Sequence, residues 1–238
     1  MLTEVFITNP AYSIVFQKKN RKEEGLRWLF KASLKLNNHK QTLTYVIKEE
    51  ETKKIIGTYT LIPPQGLKNG IAIYLKIGIP AFISKFGLQA FIRMLRLDDY
   101  NKSVLRKSIK ATEYYYLSMV AVREEYRGRG IGSDAIQHAI TELMASNPTC
   151  NLIGLTTQLP ENVTFYSRLG FEKIDEGLVN FKGDSYYNYN MKRTIVAGKP
   201  NERTVDKSRR TFTQLDSLAV QLTFVETEKP TSIQLILA

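Results

Sequence analysis

Residues 117–133 read LSMVAVREEYRGRGIGS, and three kinds of local structure follow one another along them. Leu117 to Val122 has the β-branched and apolar composition of a strand. Arg127-Gly128-Arg129-Gly130-Ile131-Gly132-Ser133 is a glycine-rich turn. From Ser133 to Met144 the residues Ile136, Ala139, Ile140 and Leu143 recur at helical spacing, with Asp134 near the positive end of the helix dipole. A glycine turn that opens a helix lets backbone N–H groups approach an anion closely. Its spacing excludes two common anion binders. No Gly-Lys-Ser/Thr closes a Walker loop, and the glycines do not fall as G-x-G-x-x-G. A pyrophosphate cradle and a plain strand-to-helix turn are the readings left open.

Working outward, YYYLSMVAV (114–122) extends the strand on its N-terminal side. NRKEEGLRWLFKASLKLNN (20–38) predicts an amphipathic helix with Leu26, Leu29, Phe30, Ser33 and Leu34 on one face and Asn20 as its cap. TLTYVIKE and KKIIGTYTLI predict a hairpin turning at Glu49 to Glu51 and ending at Pro63-Pro64. Ile83, Phe86, Ala90, Phe91, Met94 and Leu95 predict a helix over 79–97. In the other direction, NLIGLTT (151–157) predicts a strand and PENVTFYSRLG (160–170) a short helix stopped by Gly170. FEKIDEGLVNF and SYYNYNMKRTI predict a hairpin about Lys182-Gly183-Asp184. Strands that alternate with helices and close on a hairpin indicate a mixed α/β sheet. Beyond Ile195, AGKPNERTVDKSRR reads as a polar linker, and LAVQLTFVE and TSIQLILA as two strands around Lys229-Pro230.

The 238 residues fit one domain with an appendage, and 43% hydrophobic residues supply a core. A single cysteine, Cys150, forms no internal disulfide, and MLTEVFITNPAY lacks the pattern of a secretory signal, so a cytoplasmic protein is expected. The apolar region 71–97 is interrupted by Lys76, Lys85, Arg93 and Arg96, which argues against a membrane span. The net charge of +11 raises nucleic acid, acidic membrane or polyphosphate as partners. The charge is spread rather than blocked and no nucleic-acid-binding pattern accompanies it, so most of it reads as solvated surface and no nucleic-acid partner is expected. Residues 196–238 hold six basic against five acidic residues, which assigns the basicity to the body of the chain.

VAVREEYRGRGIGS resembles motif A of the GNAT superfamily of N-acetyltransferases, whose core Arg/Gln-x-x-Gly-x-Gly/Ala is met by Arg127, Gly130 and Gly132. Downstream, Asn162-Val163-Thr164-Phe165-Tyr166-Ser167-Arg168-Leu169-Gly170-Phe171 is similar to the N-x-x-F-Y-x-x-x-G-F signature of the same superfamily. VFITNPAYSIVF, LRWLFKASL, LIPPQG and the helical insert 79–107, in that order, resemble the puromycin N-acetyltransferase-like branch. The resemblance covers residues 4–195. It implies an α/β (α+β) fold with a mixed, mostly antiparallel central sheet and flanking helices over 1–195, followed by a linker and extension over 196–238. It implies acetyl-CoA as cosubstrate and an acyltransferase activity. Val120, Ala121 and Val122 would line the pantetheine arm, and Gly128, Arg129, Gly130, Ile131, Gly132 and Ser133 would hold the phosphates together with Arg127. Asn162 is open to two roles, a bond to the cofactor or a helix cap.

Two departures from the superfamily stand out. Relatives carry a strand before the equivalent of VFITNP, whereas Met1 stands almost at that point, so the first edge strand is expected to be missing. LAVQLTFV or SIQLILA reads either as substitute cover for the bare edge or as a disordered or loosely packed tail. Relatives also carry a glutamate where Thr156 stands and an asparagine where Leu159 stands. The implied reaction is attack of a primary amine on the acetyl thioester, which calls for a neutral amine, an oxyanion donor and a proton for the departing sulfur. A backbone N–H near Val120 suits the oxyanion, and Tyr166 suits the sulfur because a phenol stays protonated at neutral pH. Glu113 is the candidate base, and equally reads as a solvated strand-edge residue. His138 reads as a packed or surface side chain and His39 as part of a polar turn, and neither belongs to a metal-ligand or nucleophile cluster. Tyr114, Tyr115, Tyr116, Tyr186, Tyr187 and Tyr189 either line an acceptor cleft or pack in the sheet. A small-molecule amine leads as acceptor. The alternatives are a protein N-terminal or lysine acetyltransferase and a non-catalytic acetyl-CoA-binding module.

Overall fold

The computed structural model describes residues 1–37, 43–64, 66, 77–147, 149–181, 183–195 and 210–214. In chain order the described elements are helices α1 (Leu2–Phe6), α2 (Pro10–Val15) and α3 (Lys19–Asn37), strands β1 (Leu43–Glu49) and β2 (Ile55–Ile62), and helices α4 (Ile79–Phe86) and α5 (Leu88–Ile109). Then come β3 (Tyr115–Val122), α6 (Ile131–Ser146), β4 (Leu152–Thr157), α7 (Pro160–Arg168), the hairpin β5 (Glu172–Phe181) and β6 (Asp184–Thr194), and β7 (Arg210–Gln214). The strands form one sheet in the order β5-β6-β4-β3-β2-β1-β7. Every neighbouring pair is antiparallel except β3 and β4.

The apolar periodicities fold as expected. Leu26 and Phe30 of α3 are buried, and so are Ile136, Ala139, Ile140 and Leu143 of α6. Alternate strand residues Tyr45, Ile47, Tyr59, Leu61, Leu117, Ile153 and Leu155 meet α6 in one core. A second core unites Ile14, Val15 and Phe16, at and beside α2, with Leu26, Phe30, Phe82, Ala90 and Leu97 of α3, α4 and α5, and with Val179 and Tyr186 of the hairpin.

Three expectations need correction. The helix expected over 79–97 is two helices with Gly87 between them, and the second runs on to Ile109, with Leu105 and Ile109 buried beyond the polar residues that follow Leu97. Leu95 points outward, 51% exposed. Asn20 lies inside the first turn of α3, not ahead of it.

The edge of β1 is covered by a strand from the C-terminal region, as one of the two readings has it, but by a different segment. β7 pairs with β1 from Glu49↔Arg210 to Tyr45↔Gln214, and its first residue belongs to the stretch read as linker. LAVQLTFVE and TSIQLILA lie outside the described residues, as does His39.

Candidate active site

At the centre of the sheet, the parallel neighbours β3 and β4 pair only at Tyr115↔Ile153 and Tyr116↔Gly154. Both strands continue, β3 to Val122 and β4 to Thr157, without further pairing to each other. Beyond Tyr116 the two strands therefore part and leave a cleft edged by main-chain donors and acceptors. Unpaired backbone groups inside a sheet require partners, and an extended ligand carrying amides can supply them as an added strand would.

On its other side β3 is also irregular. Thr58 faces Ala121 and Thr60 faces Ser118, so Met119 and Val120 together oppose the single residue Tyr59. Met119 has φ +51°, in the left-handed region. This is a β-bulge, which interrupts the ladder and turns local amides off their regular direction. Val120, Ala121 and Val122 thus run along the open stretch, Ala121 buried and its two neighbours partly so.

A single 3-10 turn, Glu124–Tyr126, carries the chain from β3 to the glycine loop. Gly128 and Gly130 have φ of +75° and +78°, and a Cβ at either would touch nothing within 4 Å. These glycines answer a need of backbone conformation and leave open space above the turn. Gly130 is the N-cap of α6, without a side-chain cap bond. The first bond of the helix runs from Asp134 N–H to the Gly130 carbonyl, so the amides of Ile131, Gly132 and Ser133 have no carbonyl within the helix. Free amides at the positive end of a 16-residue helix make an anion site. Gly132 has a different role, since a Cβ there would stand 3.0 Å from the Phe165 ring. Its lack of a side chain lets α7 pack against the start of α6. Arg127 is exposed, and Arg129 lies over the Tyr126 ring at 5.1 Å.

α7 brings the second motif to this place. Tyr166 is 8% exposed and packs edge-on against Phe165 and Phe171, at 5.1 and 5.5 Å between ring centroids. Burial, with a smaller contribution from the nearby Tyr116 phenol, raises its pKa well above the ordinary tyrosine value. Its hydroxyl has no hydrogen-bond partner among the described residues. Tyr116, at the root of the cleft, shares a hydrogen bond of 3.1 Å with Thr156, and burial pushes its phenol up to about 12. Asn162 is the third residue of α7 rather than its cap, a place taken by Leu159. Its amide donates instead to Thr157 Oγ1 at 3.0 Å and ties the helix to the end of β4.

The candidate base is not brought to this cleft. Glu113 is exposed and precedes β3 at the end where β3 and β4 are paired, about 23 Å of strand from Val120. Of the tyrosines singled out in the sequence, Tyr115 is buried, Tyr186 donates to Asn101 of α5 at 2.8 Å, and Tyr187 packs on Tyr189 at the surface of the hairpin. His138 is half-buried, with its Nδ1 2.6 Å from the Tyr59 hydroxyl. Among the described residues no group of three His, Cys, Asp or Glu side chains could hold a metal ion, and no helix is long and apolar enough to cross a membrane.

Other residues of the site went unread. The N-terminal segment delivers Tyr12, partly buried and close enough to Tyr116 for that phenol to help raise its pKa. Asn9 caps α2 by accepting from Ala11 N–H, and its amide donates to Gln158 just past β4. Gln158 donates to Asn188, Asn188 to Asn190, and Asn190 to the carboxylate of Asp175. This directed chain ends at a cavity of about 180 Å³ between α5 and the β5–β6 hairpin, lined by Tyr100, Val104, Asp175, Glu176, Asn188 and Asn190 among others. The four amides are spread over three segments, and Asp175 adds a fourth, so only the fold unites them.

The profile of the acetyltransferase (GNAT) family matches residues 7–171, more than half of the chain. Among solved structures the fold is similar to that of "histone acetyltransferase HPA2 and related acetyltransferase" from Corynebacterium glutamicum, at 19% identity and a TM-score of 0.53, covering 84% of this chain and 90% of that one. More distantly similar are spermidine N-acetyltransferase from Vibrio cholerae with CoA and spermine (13% identity, TM-score 0.43, 81% and 87% covered) and Arabidopsis thaliana NAA60 with acetyl-CoA (15%, 0.41, 66% and 78%). No curated protein matches the sequence.

Proposed function

The chain belongs to the GNAT family of acetyl-CoA-dependent N-acetyltransferases, and on that premise we propose that its acceptor is a primary amine of a small molecule and that Tyr166 is its proton donor. The observation that carries this reading is the parting of β3 from β4 beyond Tyr116 and Gly154, with the glycine turn at the far end of the open strand and Tyr166 beside its root.

When bound, acetyl-CoA supplies an acetyl group activated as a thioester. Its fit rests on two features, main-chain groups left unpaired along Leu117–Val122 for an extended arm and the amides of Ile131, Gly132 and Ser133 for a pyrophosphate. Arg127 and Arg129 add positive charge beside the turn. The bulge at Met119 and Val120 suits the Val120 N–H to the oxyanion, since a fixed amide stabilises developing charge without reorganisation. Tyr166 Oη keeps its proton and has no competing partner among the described residues, so it is free to donate to a departing sulfur. Asn162 acts through Thr157, holding α7 to β4. A weakly basic acceptor needs no dedicated base, and a solvated surface role suits Glu113.

A small acceptor is favoured by the insert helices. α5 packs along β4, β5 and β6, and Tyr186 bonds to its Asn101. Among the described residues, a cavity of about 180 Å³ lies between α5 and the hairpin, too small for a folded partner to enter. The order of the outer sequence segments, including that insert, supports the puromycin N-acetyltransferase-like branch.

The test is release of CoA thiol from acetyl-CoA over a panel of small amines and of peptide N-termini. A small amine is expected to give the highest kcat/KM. Heat-stabilisation by acetyl-CoA with no release above background for any acceptor would make the protein a binder without turnover, and a preference for peptides would overturn the small acceptor.

A further inference from the structure

Arg210 stands outside the residues matched by the family profile, yet it touches the anion-binding turn. One nitrogen of its guanidinium donates to the Asp134 carboxylate, and another donates to the Arg129 carbonyl at 2.9 Å. Asp134 lies in the first turn of α6, its side chain only 9% exposed. Burial raises its pKa, and the Arg210 charge opposes that rise. A single side chain therefore grips both the start of the helix and the loop before it.

We propose that β7 is a working part of the cofactor site and that Arg210 is a positioning residue for acetyl-CoA, an inference that rests on the assignment of the glycine turn to the cofactor pyrophosphate. Two physical arguments carry it. The first is charge. A carboxylate in the first turn of α6 repels a pyrophosphate at the same helix end, and the guanidinium cancels that charge locally. The second is geometry. Gly128 and Gly130 flank Arg129 and leave the loop many conformations of similar energy. Across a trans peptide the carbonyl of one residue and the N–H of the next point in opposite directions. Holding the Arg129 carbonyl toward β7 therefore turns the Gly130 N–H away from β7, as a ligand-ready loop requires. Arg210 selects one conformation of a loop that its own sequence leaves free.

The position of Arg210 is itself fixed twice. Its strand pairs with β1 over five residues. Two residues on, Phe212 stacks on His138 with ring centroids 4.2 Å apart and planes 11° from parallel. His138 is one helical turn beyond Asp134, so β7 holds α6 at two successive turns and sets the register that delivers Arg210.

The experiment uses the full chain and reads acetyl-CoA binding by calorimetry alongside steady-state kinetics. Arg210→Met is expected to raise both Kd and KM for acetyl-CoA about tenfold, as loss of a charge-assisted clamp implies, with kcat within about twofold. Arg210→Lys, which keeps the charge but not the two-pronged bond, should fall between. The pair Asp134→Asn with Arg210→Met removes the uncompensated carboxylate and should recover part of the affinity, which separates charge cancellation from general damage. It also provides a folded comparison should the single variant fail to fold. Wild-type binding with unchanged Kd in Arg210→Met, or in the double variant when the single one does not fold, overturns the proposal. A wild-type protein that binds no acetyl-CoA overturns the cofactor assignment itself and this inference with it.

Discussion

The side chain of Tyr166 is 8% exposed, its hydroxyl has no partner among the described residues, and burial holds its proton well above the ordinary tyrosine range. Such a group contributes nothing to folding through hydrogen bonding and carries the cost of its own desolvation. Tyr166→Phe should therefore leave the melting temperature of the free protein unchanged or slightly raised. Acetyl-CoA affinity should change less than about twofold while kcat falls about a hundredfold, the lower range for a positioned proton donor. Equal losses in affinity and kcat would make Tyr166 a binding residue. The sign of its pKa shift gives a second test. A phenol whose pKa is raised remains a donor above the usual value of about 10, so kcat should show no descending limb centred there. A fall near that pH, absent from Tyr166→Phe, would show the phenol titrating as an ordinary tyrosine. The residue was legible in the sequence only because the motif around it named it. Taken alone, Tyr166 reads as one more core aromatic, and its ring does pack as one against Phe165 and Phe171. Thr156 shows the converse. It stands where relatives carry a glutamate, and its hydrogen bond with Tyr116 at the root of the cleft is a contact between strands that no spacing in the sequence announces.

Among the elements, the turn at 127–133 was the most legible, because a helix start free of side-chain caps and rich in glycine has few other uses. Its two kinds of glycine predict different failures. Gly130→Ala places a Cβ in open space but at φ +78°, so the loss of stability should be about 1–2 kcal/mol from backbone strain alone. If the ligand occupies that space, acetyl-CoA affinity should fall by more than this strain accounts for, as calorimetry would show. Gly132→Val instead drives a branched side chain into the Phe165 ring, which a single Cβ already approaches to 3.0 Å. The ring and α7 must shift, and α7 carries Tyr166. For this variant kcat should drop together with affinity, whereas Gly130→Ala should lose affinity with kcat largely kept. Identical kinetic signatures in the two variants would refute the division of roles. β7 was the least legible element. Its five residues, with one phenylalanine between threonines, are too short to show a period, and its first residue sits in a run of charge and breakers that reads as linker. The general need for edge cover was readable from the exposure that any outer strand carries. The segment that meets it was not, because longer apolar runs further on offered better local propensity, and propensity says nothing of which segment reaches β1.

At the scale of the whole molecule, one consequence of the packing extends beyond the site. Tyr12, Tyr45, Tyr59, Tyr116, Tyr166 and Tyr186 all have raised pKa values, with burial the largest cause in each case. They come from α2, four strands and α7, so they sample both cores and the cleft. In the unfolded chain a tyrosine loses its proton near pH 10, while the folded protein keeps these six protonated. Above that pH the unfolded state binds fewer protons than the folded one, so stability falls as pH rises, and below it these groups impose no slope. The protein should therefore be insensitive to these groups through the neutral range and unfold steeply once the pH passes about 10. Because the phenols ionise only when the cores open, their tyrosinate absorbance should appear in the same step as the loss of near-UV circular dichroism. Acetyl-CoA at saturating concentration should move that step to higher pH, since a ligand that binds only the folded state adds to its stability. A full rise of tyrosinate absorbance while the dichroism persists would show that these phenols ionise within the native fold. The burial that lets Tyr166 keep its proton for catalysis would then be absent, and with it the donor role argued for this residue.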